Sequence, residues 1–390
     1  MSGHAGSGQV RKSYRTLARW LEAAPSDLLQ ARSRQAELFF RRMGVTFAVY
    51  GDVESNERLI PFDVVPRIIG AAEWDQLEKG LKQRVSAINA FLKDIYGPQE
   101  CIKAGIVPAE LIFTNLHYRP EMQGRRPPGD IWTHICGVDL VRTGEDGFVV
   151  LEDNCRTPSG VSYMLENREM MMRLFPDLFA EHRIRPVETY TDMLLASLRA
   201  SAPEHAGADP NIVVLTPGPF NSAYYEHSFL ADKLGVELVE GGDLFVNDDI
   251  VFMRTTEGPR RVDVIYRRVD DEFLDPLTFR PDSAVGIPGL MAAYMAGNVT
   301  LSNAVGTGVL GLVTLLIVRK SRIGGWLGRR IPRLAALGAD LDASAVVDRS
   351  RLVRSVAFCF AARLAPVSYT HLRADETKAN LVCRLLLEKK

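Results

Sequence analysis

The sequence predicts an α/β chain with α+β elements: a helix-rich first part that closes on a β-hairpin, then a βαβ unit. Three stretches carry that prediction. "NIVVLTPG", from Asn211, is a continuous apolar run of the kind buried on both faces of a parallel sheet. "SAYYEHSFLADKLG" and "VELVEG" follow it as a helix and a second strand, at the spacing of a βαβ crossover. Upstream, "GVDLVRTGEDGFVVLEDN", residues 137–154, reads as two short strands around an acidic, glycine-bearing turn.

The remaining elements follow from periodicity. Residues 13–42 place Leu17, Trp20, Leu21, Leu28 and Leu29 at helical spacing, and "VTFAVY" then reads as a strand. "IPFDVVPRIIG" is a turn leading into an amphipathic helix over 72–96, which Gly97-Pro98 stops. A further helix is expected from Pro108. "DIWTHICGVDLVRT" reads as one strand, "GEDG" as the turn and "FVVLEDN" as the return strand. After the loop "CRTPSGVS" come a helix, "YMLENREMMMRLF", whose methionines read as core filler, and another over 186–200. "SAPEHAGADP" is a polar linker and sets a domain boundary near 205. Beyond the βαβ unit, "GGDLFVNDDIVFMR" reads as a hairpin and "VDVIYRRVDDEFLDP" as a strand ending in a charged loop. The expected domains are therefore 13–204, 205–309 and a separate tail, 310–390.

The chain has 390 residues, 46% apolar and 24% charged, with a net charge of -1. That is a globular balance, large enough for two or three domains, with no basic excess to suggest a nucleic-acid partner. None of the five cysteines has CxxC spacing. Neither a disulfide framework nor a structural zinc is expected, and a reducing cytoplasm is. Cys155, beside the acidic hairpin, reads as a small packed residue rather than a nucleophile. The N-terminus has no apolar core of signal-peptide length. The apolar run Val309–Val318 has 10 residues, against about 20 for a membrane-spanning helix, so no membrane partner is expected.

From Arg319 onward there are 15 basic and 6 acidic residues, scattered rather than aligned on a helical face. The final "VSYTHLRADETKANLVCRLLLEKK" resembles a tail carried by many unrelated metagenome-derived sequences. The expectation is that the native frame ends near Val309 and the rest is frameshifted or foreign; a native basic C-terminal region is the alternative.

The hairpin carries the chemistry. Strand alternation puts Glu152 and Asn154 on one face of the return strand, and Asp139 on the partner strand lies nearly opposite. Two carboxylates and an amide oxygen are hard ligands suited to Mg²⁺. Incidental acids on a surface hairpin are the plainer reading of the same pattern.

Asp139, the "EDG" turn, Glu152-Asp153-Asn154 and "RTPSG" together resemble the end of an ATP-grasp domain, as in D-alanine–D-alanine ligases. Here that hairpin precedes a βαβ unit resembling the pre-ATP-grasp domain, so the order is inverted. Residues 13–309 thus resemble the bacterial circularly permuted ATP-grasp family, distantly similar to glutathionylspermidine synthetase. The resemblance rests on "IPFDVVPRII", "VLEDNCRTPSGVSYMLENR", "LTPGPFNSAYYEHSFLA" and "LSNAVGTGV". It implies that Asp139, Glu152 and Asn154 hold Mg²⁺ and that Arg156 faces the transferred phosphoryl group or an acyl phosphate.

The loop "TPGPFNSAYYEH" offers Asn221, Ser222, Glu226 and His227 to a substrate, with backbone N–H groups for an anion; His227 reads equally as an ordinary helix-face histidine. Arg267 or Arg268, at a strand end, is a candidate for a substrate carboxylate, with ion pairing to Asp270 or Asp271 as the alternative. Arg67 is a candidate phosphate contact. The family's phosphate-contacting Lys and glycine-rich loop would follow "AVGTGV", where the sequence turns anomalous.

The function implied is an ATP- and Mg²⁺-dependent carboxylate–amine ligase, or its N-terminal part. It would act through an acyl phosphate on small or peptide-like acids and amines. A non-catalytic binding module and a metal-dependent hydrolase are the alternatives.

Overall fold

A computed structural model describes residues 9–48, 57–59, 62–142 and 147–311. The tip of the predicted "GEDG" turn and the expected foreign tail from 312 lie outside the described residues.

The first part is helical. Helices α1 (Arg15–Ala23) and α2 (Leu28–Met43) lead into a small antiparallel pair, β1 (Thr46–Ala48) and β2 (Glu57–Leu59). The long helix α3 spans Ala71–Ile95, followed by the short α4 (Glu100–Lys103) and α5 (Ala109–Phe113). The hairpin is β3 (Gly137–Arg142) with β4 (Phe148–Asn154). Helices α6 (Val161–Leu174), α7 (Pro176–Glu181) and α8 (Tyr190–Ala200) come next. The second part runs β5 (Ile212–Leu215), α9 (Tyr224–Leu234), β6 (Glu237–Val239), β7 (Leu244–Asn247), β8 (Ile250–Thr255), β9 (Gly258–Arg261), β10 (Val264–Arg267), α10 (Leu290–Met295) and β11 (Thr300–Ser302).

The predicted βαβ unit is β5–α9–β6, in a fully parallel sheet of order β11-β10-β5-β6. Both faces of that sheet are covered, which is why β5 is apolar throughout. Ile212 and Val214 pack with Leu194 and Leu198 of α8 and Leu230 and Leu234 of α9. Val213 and Leu215 turn to the opposite core, with Ile88, Leu92, Ile95 and Tyr96 from the end of α3. A third core joins Leu17, Phe40, Met170, Met171 and Leu174; two of the four α6 methionines are therefore packing residues, while Met164 and Met172 are exposed.

Three predicted elements change. "DIWTHIC" is not strand; β3 begins at Gly137. The N–H groups from Trp132 to Ile135 go to side chains instead: Trp132 and Thr133 donate to Asn89 Oδ1, and His134 and Ile135 donate to Asn303 Oδ1. The helix expected from Pro186 begins at Tyr190. The hairpin β7–β8 gains a third strand, β9.

Candidate functional site

The β3–β4 register pairs Asp139 with Glu152, Val138 with Asp153 and Gly137 with Asn154. Paired residues share a sheet face, so Asp139, Glu152 and Asn154 stand together and Asp153 points the other way. A β-bulge between Asp139 and Leu140 breaks the ladder beside this group, a device that re-aims side chains near sites.

Asp153 is buried and anchored from α3: Arg84 gives Nε to Oδ1 at 2.7 Å and Nη2 to Oδ2. That fixes the hairpin's inner face. On its outer face, burial pushes the Asp139 carboxyl above its ordinary pKa, and Asp153's charge adds to this. Burial likewise raises Glu152, helped by Asp139 and then Asp153.

Neither Asp139 nor Glu152 has an ion pair among the described residues. Crowded acids of this kind, with an amide beside them, fit a hard divalent cation. Among the described residues no three His, Cys, Asp or Glu side chains gather as a metal cluster; this set is two carboxylates and one amide oxygen.

Arg156 leaves the hairpin two residues after Asn154. Its Nε pairs with Asp270 Oδ1 at 3.1 Å and its Nη1 lies 3.2 Å from His117 Nδ1. The segment 304–311 closes over this group: a Cβ on Gly308 would lie 3.1 Å from His117 Cβ and 3.2 Å from Arg156 Cδ, and one on Gly311 3.8 Å from Glu152 Oε1. His117 was not singled out from the sequence, Asp270 was named only as an ion-pair partner for Arg267 or Arg268, and "LSNAVGTGV" only as a stretch carrying the resemblance. They are 39 and 113 or more positions from the hairpin loop, and no local period marks them.

Asp270 also lines a cavity of about 370 Å³ with Thr157, Ser159, Asn221, His227 and Arg268. The structure thus brings Asn221, His227 and Arg268 together beside the Arg156 loop. His227 Nδ1 is 2.8 Å from Thr216 Oγ1, and burial, with Arg268 nearby, lowers its pKa to about 3. It is a neutral ring. Asn221 Oδ1 accepts the N–H of Ala223, and Ser222 beside it does not line the cavity.

Other predicted residues are committed internally. Glu226 is fully buried; its Oε2 accepts N–H from Gly160 and Ser162 and the Ser162 hydroxyl, while Oε1 takes Arg268 Nη2 at 3.2 Å. Arg268 also donates to Pro158 O and Tyr266 Oη. Arg267 pairs with Asp271 at 2.7 Å and donates to the carbonyls of Asn303, Val269 and Ala304. Arg67 is exposed, in a segment whose Phe62, Val64 and Ile68 pack on the α1–α2–α6 core rather than on the hairpin.

Residues 66–317 match the family model described as a circularly permuted ATPgrasp. An uncharacterized protein of Synechocystis is 52% identical over 302 residues, covering 77% of this chain and 63% of that protein. A Frankia alni protein provisionally named glutamate--cysteine ligase 2-3 is 42% identical over 306 residues, covering 77% of this chain and 35% of that one. A solved glutathione synthetase like-effector of Globodera pallida, in apoform, aligns with a TM-score of 0.44 at 10% identity, covering 77% of this chain and 67% of that one. The chain therefore spans roughly a third to two thirds of the curated relatives it matches. With more than half its length matched, the chain belongs to the circularly permuted ATP-grasp family.

Proposed function

We propose that the chain is an ATP- and Mg²⁺-dependent carboxylate–amine ligase, or the N-terminal part of one, working on small or peptide-like acids and amines in the cytoplasm. The observation that carries this reading is the cross-strand pair Asp139–Glu152 with Asn154 on the same face and Arg156 at the exit. The match to a ligase family and the provisional name of the Frankia relative support it.

Asp139, Glu152 and Asn154 would hold Mg²⁺, which neutralises phosphate charge when bound. Arg156, gripped by Asp270, presents a guanidinium to phosphoryl oxygens. In this class a carboxylate takes the γ-phosphoryl group of ATP, releasing ADP, and an amine then displaces phosphate to form the amide. The cavity beside Asp270, with its neutral His227, is the place for an acid or amine of amino-acid size.

The test is Mg²⁺-dependent ATP binding and ADP release with panels of amino acids. Glu152→Ala is expected to abolish both while the circular dichroism spectrum stays unchanged. Asp139→Asn should remove the thermal stabilisation by Mg²⁺. Normal ATP turnover by folded Glu152→Ala would sink the assignment.

A further inference from the structure

We propose that Cys136 and Cys155 form a reversible redox site at the open end of the acidic hairpin, where a small disulfide of the glutathione type closes the two thiols into a cross-strand disulfide. The site is independent of the ligase reading and needs only the hairpin and its two thiols.

The two sulfurs lie 3.2 Å apart, and both are free thiols. A disulfide bond is about 2.05 Å long, so closure needs only about 1 Å of approach. The backbone already suits that bond. Gly137 and Asn154 are the last pair of the β3–β4 ladder, and Cys136 and Cys155 are the next residue outward on each strand. Opposed residues of an antiparallel pair have Cα atoms about 4.5–5.5 Å apart, inside the span of about 4.4–6.8 Å that a disulfide bridges.

The surroundings hold the pair in place. Asn303 Nδ2 donates to Ile135 O at 2.7 Å and to Cys155 O at 2.9 Å. One amide therefore ties down the backbone beside both thiols. Exposure differs between them: Cys155 is 2% exposed within the main core, whereas Cys136 is half-buried at its edge.

That asymmetry orders the chemistry. The Cys136 sulfur, having lost its proton to water, attacks one sulfur of glutathione disulfide. One glutathione thiolate leaves and takes up a proton. The Cys155 sulfur then loses its proton and attacks the Cys136 sulfur of the mixed disulfide, and the second glutathione leaves. One reagent S–S bond is broken and one protein S–S bond is made. The protein gives up two electrons and two protons, and the glutathione disulfide receives them. A hydrogen bond with Cys155, and then burial, raise the Cys136 thiol above its ordinary pKa. Exchange is therefore slow at neutral pH, and the site is read at equilibrium. Closure fixes the end of the hairpin that carries Asp139 and Glu152, so the reduced and oxidised chains differ in how freely its two strands part.

The test equilibrates the whole chain with mixtures of reduced and oxidised glutathione. Free thiols are then trapped with N-ethylmaleimide and the tryptic peptides mapped without reduction. Cleavage after Arg142 and Arg156 puts Cys155 in peptide 143–156 and leaves Cys136 in the peptide before it. The expected product links those two peptides. Its equilibrium constant should be about tenfold or more larger in the folded chain than in the urea-unfolded chain, which must bring together ends that the fold already holds. By linkage the oxidised chain should have the higher urea midpoint, and amide exchange near Gly137 and Asn154 should slow.

Cys155→Ser should leave glutathione on Cys136, and Cys136→Ser should leave Cys155 unmodified. If either variant does not fold, the wild-type map and the urea comparison still decide. A mixed disulfide that stays on wild-type Cys136 would overturn the site. So would a link to Cys101, Cys359 or Cys383 in its place, no link at the most oxidising ratio, or equal constants in the folded and unfolded chains.

Discussion

Arg84, on α3, holds Asp153, on β4, through both oxygens of a carboxylate that is 1% exposed. The acids proposed to hold Mg²⁺ lie on the opposite face, so this ion pair, together with Arg142 of β3 on Glu73 of α3, fixes the hairpin against α3. Removing one partner breaks a buried ion pair, which costs about 3–5 kcal/mol. Arg84→Ala and Asp153→Ala should each lower the urea midpoint by that order. The double variant should cost less than the sum of the two. Additive losses would mean that the pair is not the anchor described.

Asn303 should be nearly irreplaceable. Its Oδ1 accepts N–H from His134 at 2.7 Å and Ile135 at 2.9 Å, and its Nδ2 donates to Ile135 O at 2.7 Å and Cys155 O at 2.9 Å. Asn303→Asp keeps the acceptor and loses the donor, stranding two buried carbonyls against a carboxylate. The expected cost is about 3 kcal/mol or more, with faster amide exchange in β3 and β4. A loss below about 1 kcal/mol would show that water replaces the amide freely.

Acid should destabilise the fold through His134. Burial lowers this ring's pKa from 6.5 to about 4, and among the described residues neither ring nitrogen has a partner. Below 6.5 the unfolded chain takes up a proton that the folded chain refuses, so stability falls with pH until the folded ring titrates near 4. The contribution is about 3 kcal/mol across that window. His227, lowered to about 3, acts in the same direction. His134→Leu should flatten the pH dependence of the melting temperature and leave stability at pH 7 equal or higher. An unchanged slope would remove His134 from the account.

Gly306 has a φ of 88° and lies against Tyr96, whose hydroxyl donates to the Gly306 carbonyl at 3.0 Å. A Cβ there would run into that same hydroxyl. Gly306→Ala combines left-handed strain with overpacking and should cost about 2–4 kcal/mol. Gly306→Ala with Tyr96→Phe removes the obstructing oxygen and should recover part of that loss, read by thermal or urea unfolding.

The sequence made the hairpin and the βαβ unit legible because each declares itself within a short local stretch, Gly137–Asn154 and Ile212–Val239. β4 begins and ends where alternation places it, and β5 is apolar throughout because both of its faces are covered. Through-space partners were not legible. Nothing near His117 says that Arg156 donates to it. Nothing in "YRRVDD" says that Arg267 would spend its donors on the Asn303 and Ala304 carbonyls, or that Arg268 would close on Glu226. "DIWTHIC" has strand composition, yet its N–H groups from Trp132 to Ile135 go to two asparagine side chains, one of them from α3. Periodicity reports which face of an element is apolar; it is silent on which polar group meets another across the core.

The Asn303 bracket has a consequence for how the protein is made. The residue that ties together the two ends of the hairpin's base is translated 148 positions after Cys155. At ordinary elongation rates that is a wait of roughly 7–30 s. Throughout it, the nascent hairpin carries its acids without the clasp that sets their spacing. The fixed acidic face of the hairpin is therefore a late product of synthesis. A ribosome stalled before codon 303 would release strands with the right residues in the right order and no fixed geometry between them.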